Sequence, residues 1–155
     1  MTVVRGCIGC DVIAGRRKAP GGVLYKDRLW IATHALPSPE VPLRGLVVFQ
    51  PKRHVEELSK LTAEEALALG PLLRRLCSAI QHVLRPERVY ACSLGEGLRH
   101  VHFLLLPRSA GMPENGADVL REVIDEGRWA CSLLQAEQAA EAIRAAIAET
   151  VKQSA

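Results

Sequence analysis

Three features are scarce in this chain, and each scarcity argues against a class of binding partner. Aromatic residues make up only 4% of its 155 residues, which argues against a platform that stacks single-stranded bases. The net charge is +3, so there is no strong electrostatic basis for binding nucleic acid or a membrane surface. No apolar run reaches membrane-spanning length, and residues 1–6 lack the apolar stretch of a signal peptide. We therefore expect a soluble, cytoplasmic protein that binds neither nucleic acid nor a membrane.

What remains has the composition of an ordinary globular domain. Hydrophobic residues make up 48% and charged residues 24% of the chain, which is enough for a core and a soluble surface. The length predicts a single domain over residues 1–155. Five cysteines without a secretion signal indicate a reducing compartment.

Hydrophobic patterning predicts an α+β fold. Short β runs at 23–26 and 29–32 flank a two-residue turn, and a continuous apolar run at 45–49 predicts a central strand buried on both sides. Two further runs, at 87–93 and 99–108, predict a second hairpin. Hairpin connections imply a mainly antiparallel sheet with helices packed on it.

Helical signals lie between and after these strands. Thr62 and Glu65 form the Thr-x-x-Glu pattern of a capping box, and apolar residues at three- and four-residue steps continue to a stop before Pro86. Pro71 inside this pattern predicts a kink or a late start. A short helix is predicted around 119–124. A final helix over 136–151 carries a stripe of Ala140, Ile143, Ile147 and Val151, which should dock on the sheet or on a partner subunit.

The run from Arg99 to Arg108 holds two histidines, one residue apart, among β-prone apolar residues. Side chains alternate along a strand, so His100, His102 and Leu104 would share one face, and the opposite face is apolar enough to join a core. Rigid placement of two imidazoles suits a nucleophile or a metal ligand. A strand with two incidental, hydrogen-bonded histidines is the alternative.

Cys7-Ile8-Gly9-Cys10 places two thiols close together near the N-terminus. The glycine would let the backbone fold around a metal, as in zinc knuckles. A thioredoxin-like redox pair is less favoured, because it expects a helix start in a βαβ context, and two unrelated thiols are a further alternative. A closed zinc site needs two more ligands. His54 and His100 both lie at predicted strand ends, where such a site can be assembled.

The stretch His100-Val101-His102-Phe103-Leu104-Leu105-Leu106-Pro107-Arg108 resembles the signature of the histidine triad (HIT) family, His-φ-His-φ-His-φ-φ with φ apolar. Leu104 stands where the family has its third histidine. Other segments follow the family's order over residues 7–108, namely Cys7–Cys10, Val23–Asp27, Gly45–Val55, Leu61–Glu65, Glu87–Tyr90 and Gly95–Gly97. The resemblance implies a HIT-like fold with a five-stranded, mainly antiparallel sheet and one long helix, paired into a homodimer. The core would then cover about 7–108 and a C-terminal helical extension about 115–153.

The resemblance also implies roles for individual residues. His102 matches the family's nucleophile, which attacks the α-phosphate of a nucleotide and forms a covalent nucleotidyl-enzyme intermediate. The phosphate-binding set would be Gly95, Glu96, Gly97, Arg99 and Leu104. Zinc-bearing members, and the related galactose-phosphate uridylyltransferases, imply a structural zinc ion held by Cys7, Cys10, His54 and His100.

Two departures from the family bear on activity. Leu104 cannot donate a hydrogen bond to phosphate or to a leaving group, a loss of roughly a few kcal/mol of transition-state stabilisation if nothing replaces it. Residues 33–37 contain no carboxylate to hold ribose hydroxyls, which many relatives place there; Arg99 and His34 are the candidates to compensate.

We therefore expect a hydrolase or nucleotidyl transferase that acts on a nucleoside phosphoramidate, a dinucleoside polyphosphate or a similar phosphoanhydride. The alternative is a zinc-stabilised dimer that binds a nucleotide or another ligand with little turnover. A redox protein that uses Cys7 and Cys10 ranks third, because the same cysteines have a better use as ligands.

Overall fold

The computed structural model describes residues 4–37, 40–95 and 97–153. Five strands form one sheet in the order β1-β2-β3-β5-β4, and every neighbouring pair is antiparallel. The strands are β1 Val23–Lys26, β2 Trp30–His34, β3 Val47–Pro51, β4 Arg88–Cys92 and β5 Phe103–Arg108. The predicted α+β fold with a five-stranded antiparallel sheet is confirmed, and the apolar run around residue 47 is its central strand.

The helices are α1 Ile8–Ile13, α2 Ala63–Leu84, α3 Gly116–Leu120 and α4 Leu133–Gln153, and a turn of π-helix at Arg121–Asp125 follows α3. In α2 the capping box is present, since the Thr62 hydroxyl accepts from the Glu65 amide and the Glu65 carboxylate accepts from the Thr62 amide. The helix is continuous from Ala63, so the expected late start is wrong. Pro71 removes the partner of the Leu67 carbonyl, but both residues are exposed and water can replace that bond.

One face of the sheet is covered by α2 and α4. Trp30, Phe49 and Leu105 are fully buried there against side chains of both helices. The α4 stripe at Ala140, Ile143 and Ile147 is buried within its own chain, so it docks on the sheet; the Val151 side chain lies outside the described residues. An apolar stripe left over for a partner subunit is therefore absent from the described part of α4.

The other face of the sheet is divided between two coverings. At one end α3 and the π-helical turn bury Leu106 with Val119 and Val123. At the other end the short helix α1 lies over β2 and β3, and a pocket remains between them. No helix among the described residues has the length and apolar character to span a membrane.

Arg53, which follows β3, connects the sheet to the start of α2. Its guanidinium donates to both Glu65 carboxylate oxygens, at 3.0 and 2.7 Å, and to the Lys60 carbonyl at 2.9 Å. The Arg53 hydrogen bonds lower the pKa of the buried Glu65 carboxyl, the effect that outweighs its burial. This bidentate pair fixes the chain on either side of residue 54, which enters the site described next.

Three strand boundaries in the structure differ from those predicted from the sequence. The Asp27 carboxylate accepts from the Leu29 and Trp30 amides, so the first hairpin turn is longer than two residues and β2 starts at Trp30. The central strand lies two residues further along, at 47–51. The histidine run becomes strand only at Phe103, so His100 and His102 precede β5 and do not stand side by side on its face.

Candidate functional site

Two cysteines and two histidines that are far apart in sequence meet beside α1. The Sγ atom of Cys7 lies 3.4 Å from Nδ1 of His100, and the Sγ atom of Cys10 lies 3.4 Å from Nδ1 of His54 and 3.7 Å from Nδ1 of His100. All four ligand atoms lie within 4.8 Å of one another. The structure thus brings together the four residues that the sequence proposed as metal ligands.

The geometry of the cluster fits a tetrahedral zinc ion. With Zn–S bonds of about 2.3 Å and Zn–N bonds of about 2.1 Å, the S···N edge of the tetrahedron is about 3.6 Å. The three S···N distances, 3.4, 3.4 and 3.7 Å, agree with that edge. Two thiols and two imidazoles are also the donor set that zinc prefers in closed, structural sites.

The second ring nitrogens of both histidines are held by oxygen acceptors. Nε2 of His100 donates to the Pro51 carbonyl at 2.9 Å, and Nε2 of His54 lies 3.5 Å from the Glu56 carboxylate. The Pro51 contact leaves Nδ1 of His100 unprotonated, and in both rings Nδ1 is turned towards the thiols, as metal ligation requires. Burial lowers the pKa of His100, which also favours the neutral ring.

The helix α1 explains how the cysteines reach the cluster. Cys7 is the N-cap residue of α1, and its Sγ accepts from the Cys10 amide. At Gly9 a Cβ atom would lie 2.8 Å from the Gln50 amide oxygen and 2.8 Å from Nδ1 of His100, so only glycine allows this approach. A helix start at the Cys-x-x-Cys stretch is a redox-like feature that the sequence did not predict. The sheet is antiparallel throughout, however, so the described residues lack the βαβ context of a thioredoxin-like pair.

His102 is oriented by the backbone of the neighbouring cluster residue. Its Nδ1 donates to the His100 carbonyl at 2.8 Å, which leaves Nε2 without a proton in the neutral ring. The Val101 amide donates to the Val55 carbonyl at 2.7 Å and holds the intervening residue in place. His102 is half-buried and lines the pocket between α1 and the sheet.

The pocket is mainly apolar. Apart from its two histidines, none of the described residues that line it can carry a charge. The lining residues are Ile8, Gly9, Val12, Ile31, Thr33, His34, Leu36, Val48, Gln50, Leu98, His102 and Leu104. The amide nitrogen of the Gln50 side chain is committed, since it donates to the Gly9 carbonyl at 2.9 Å.

The predicted phosphate-binding residues are only partly gathered at this pocket. Leu104 lines it together with His102, whereas Gly95, Gly97 and Arg99 are exposed in the loop that leads to them. Gly95 and Gly97 have no left-handed φ, and no atom lies close to where a Cβ would stand. The backbone therefore does not require glycine at either position. Glu96 lies outside the described residues.

His34 is unable to take the place of the missing ribose-binding carboxylate. It is fully buried, its Nε2 accepts from the Gly45 amide at 2.8 Å, and its Nδ1 donates to the Ala35 carbonyl at 3.1 Å. Both ring nitrogens are therefore used within the protein. Burial lowers the pKa of His34, which keeps the ring neutral.

Comparison with solved structures places this arrangement in a known fold. The chain matches a zinc-bound histidine triad family protein from Mycobacterium smegmatis at 17% identity and a TM-score of 0.72, over 96% of this chain and 97% of that one. It matches a histidine triad nucleotide-binding protein from Sulfolobus tokodaii at 16% identity and 0.71, over 92% and 93%. A uridylyltransferase mutant matches at 22% identity and 0.67, over 93% of this chain and 48% of that one. No family model and no curated protein matches the sequence.

The chain has the histidine triad fold. The resemblance read from the ordered sequence motifs is thus confirmed at the level of the fold. At identities of 16–22% the similarity supports the fold alone. The roles of individual residues rest on the geometry of this chain.

Within this histidine triad fold, the sequence missed most of the pocket wall. Strand alternation does contain a signal, because Ile31 and Thr33 face away from the helix-covered side that holds Trp30 and Ala32. Nothing comparable marks Leu36 and Leu98, which lie in loops. Their position depends on how those loops fold over the sheet.

We expect one tightly bound zinc ion per chain. Cys7→Ser should lose the metal and lower the thermal unfolding midpoint by roughly 10 °C, since the binding energy of a structural site is folding energy. Metal analysis by mass spectrometry and calorimetry of the same samples provide the measurement. Cys77→Ser is the matched control, because Cys77 is half-buried in α2 and is not a member of the cluster. Stoichiometric zinc in the Cys7→Ser protein, or an unchanged midpoint, would contradict the assignment.

His34 should make stability depend on pH. Because its pKa is lowered in the folded chain, the unfolded chain binds the proton more readily, and stability falls as pH drops below about 6.5, by at most about 1.4 kcal/mol per pH unit. His34→Gln should be less stable at pH 8, and the difference from the parent should shrink towards pH 5. Denaturant unfolding at several pH values measures that difference, in which contributions from the shared zinc ligands cancel. A constant difference from pH 8 to pH 5 would show that His34 does not titrate in this way.

Proposed function

We propose that this chain is a nucleotide-binding protein of the histidine triad type, in which His102 is the nucleophile of a hydrolase or nucleotidyl transferase. The observation that carries the proposal is the 2.8 Å hydrogen bond from Nδ1 of His102 to the His100 carbonyl. It fixes the tautomer in which Nε2 holds a free electron pair, in the lining of a mainly apolar pocket. A nucleoside phosphoramidate, a dinucleoside polyphosphate or a similar phosphoanhydride offers both a base and an electrophilic phosphorus.

The proposed reaction has two displacement steps. The Nε2 electron pair of His102 forms a bond to the α-phosphorus, and the bond from phosphorus to the leaving group breaks, so that the leaving group departs with its electron pair and takes a proton from solvent. Water or a second acceptor then attacks phosphorus, and the P–N bond breaks to regenerate the neutral ring. The His100 carbonyl stabilises the positive charge that the ring carries in between, since it accepts the Nδ1 proton throughout.

Cys7, Cys10, His54 and His100 would hold the zinc ion, which supplies structural cross-linking when bound. Since His100 belongs to this set, its backbone carbonyl is anchored from both sides, by the ligand cluster and by the Pro51 contact. His102 is thereby positioned by a rigid element, which a nucleophile needs in order to keep an attack geometry.

A second candidate function rests on Leu104. It lines the pocket beside His102 without a polar group, so one donor to the developing phosphate charge is missing. A zinc-stabilised protein that binds a nucleotide or a similar ligand with little turnover would tolerate this apolar residue. The two functions differ in whether phosphorus is ever bonded to His102.

Four proteins should separate these functions: the parent, Leu104→His, His102→Ala and the double variant. If the parent is a slow enzyme, mixing it with a fluorogenic adenosine phosphoramidate should produce a covalent adenylyl-protein in a single turnover. Leu104→His should raise that rate about tenfold or more, because a donor is added where charge develops. His102→Ala should abolish transfer in both backgrounds. Intact-protein mass spectrometry at timed quench points measures the adduct.

Leu104→Met is the matched control, since it has similar size and no donor, and it should leave the rate near that of the parent. Undetectable transfer in both the parent and Leu104→His would remove the case for His102 as a nucleophile. The binding function would then be adopted in its place.

We also infer a homodimer. Among the described residues the sheet ends at β4, and no strand pairs with its outer edge, so backbone groups there are available to a second copy. Sedimentation equilibrium at micromolar concentration should give twice the mass of the chain. A single-chain mass under those conditions would count against it.

A further inference from the structure

Thr33 adds a hydroxyl to the pocket that no other described residue uses. It lies on β2, only 6% of its surface is exposed, and it lines the pocket. Among the described residues, Thr33 is hydrogen-bonded through its backbone in the sheet, and no side-chain hydrogen bond of its hydroxyl is found. By contrast, Gln50 donates to Gly9, and both His34 nitrogens have partners. The hydroxyl is not among the buried side-chain atoms that lack a partner, so it opens onto the pocket, where water or a ligand can bind it.

Sheet register locates Thr33 relative to the reacting end. Thr33 is opposite Val48 in β2–β3, and Val48 is opposite Leu104 in β3–β5. All three line the pocket, so they form one row across three strands on the same face of the sheet. Two strand spacings separate Thr33 from Leu104 by roughly 10 Å. A phosphoryl group near His102 therefore leaves room for the rest of a ligand to extend along this row towards Thr33.

The surroundings of Thr33 indicate which part of a nucleotide would reach it. Between Thr33 and His102 the wall is built from Ile31, Val48 and Leu104, with Ile8 and Val12 of α1 opposite. A ribose buried there would bring several hydroxyls to a mainly apolar wall, and each hydroxyl left unpaired would be penalised. A base has two apolar faces and a polar edge, so it satisfies both the wall and the single hydroxyl.

We propose that the Thr33 hydroxyl hydrogen-bonds the polar edge of the nucleobase and is the residue that sets base preference. The inference rests on the proposed nucleotide-binding function and adds a specificity-determining residue to it. Since a hydroxyl both donates and accepts, it can satisfy either kind of group on a base edge, and its geometry selects among bases. The ribose and phosphate then lie towards the pocket mouth, where His102 is half-buried and Arg99 is exposed.

Calorimetric titration of the zinc-loaded protein with AMP, GMP, CMP, UMP and ribose 5-phosphate tests the proposal. Thr33→Val keeps the shape of the side chain and removes the hydroxyl. It should weaken the preferred nucleotide roughly three- to tenfold and leave ribose 5-phosphate unchanged, because the lost contact is to the base. Thr33→Ser retains the hydroxyl and should restore the preference. Thr33→Ala, which only deletes atoms, should show the same selective loss as Thr33→Val.

Ile31→Val is the matched control on the same strand face. It trims the apolar wall and should weaken all four nucleotides to the same extent. Parent-like affinity and base preference in Thr33→Val, or a loss for ribose 5-phosphate as large as that for the nucleotides, would overturn the role of Thr33 while the proposed function stands. If none of the nucleotides binds the parent protein, the proposed function itself fails and takes this inference with it.

Discussion

His100 connects every part of the site, because three of its polar groups have three different partners. Nδ1 faces the two thiols, Nε2 donates to the Pro51 carbonyl at the end of the central strand, and the backbone carbonyl accepts from His102. The residue is 1% exposed, so none of these groups can exchange its partner for water without the site opening. One buried residue thus joins the metal cluster, the sheet and the proposed nucleophile.

The pocket depends on the same cluster through α1. A helix of six residues is far too short to be stable alone, so α1 needs tertiary anchors. Cys7 and Cys10 provide them on one side, and the contact of Gly9 with Gln50 and His100 provides them on the other. Since Ile8 and Val12 of this helix form one wall of the pocket, the metal cluster sets the shape of a ligand site that it does not itself contact.

The fold and the metal cluster were predictable because their signals are local patterns or ordered motifs. The capping box at Thr62 and Glu65 and the apolar run of β3 each follow from propensity and periodicity. The break in the histidine run was not predictable in this way. His100 is drawn out of the strand by the Pro51 carbonyl and the thiols, and tertiary contacts of this kind override alternation. The role of His34 was hidden for the same reason, since its partner at Gly45 is fixed only once the loop has folded.

Leu104 separates the requirements for binding from those for catalysis. Val48 and Thr33, which lie in the same row across the sheet as Leu104, line the part of the pocket that would bind a neutral group. An apolar side chain at position 104 extends this surface without leaving a polar atom unpaired. Charge that develops on phosphate oxygens must instead be met from beyond the sheet face, because none of the described pocket-lining residues is a lysine or an arginine. Arg99, which is exposed and lies three residues before His102, is the cation nearest to it in sequence. Under the proposed function, the sheet face positions His102 and the ligand, whereas a charged donor to the phosphate has to come from residues outside this face.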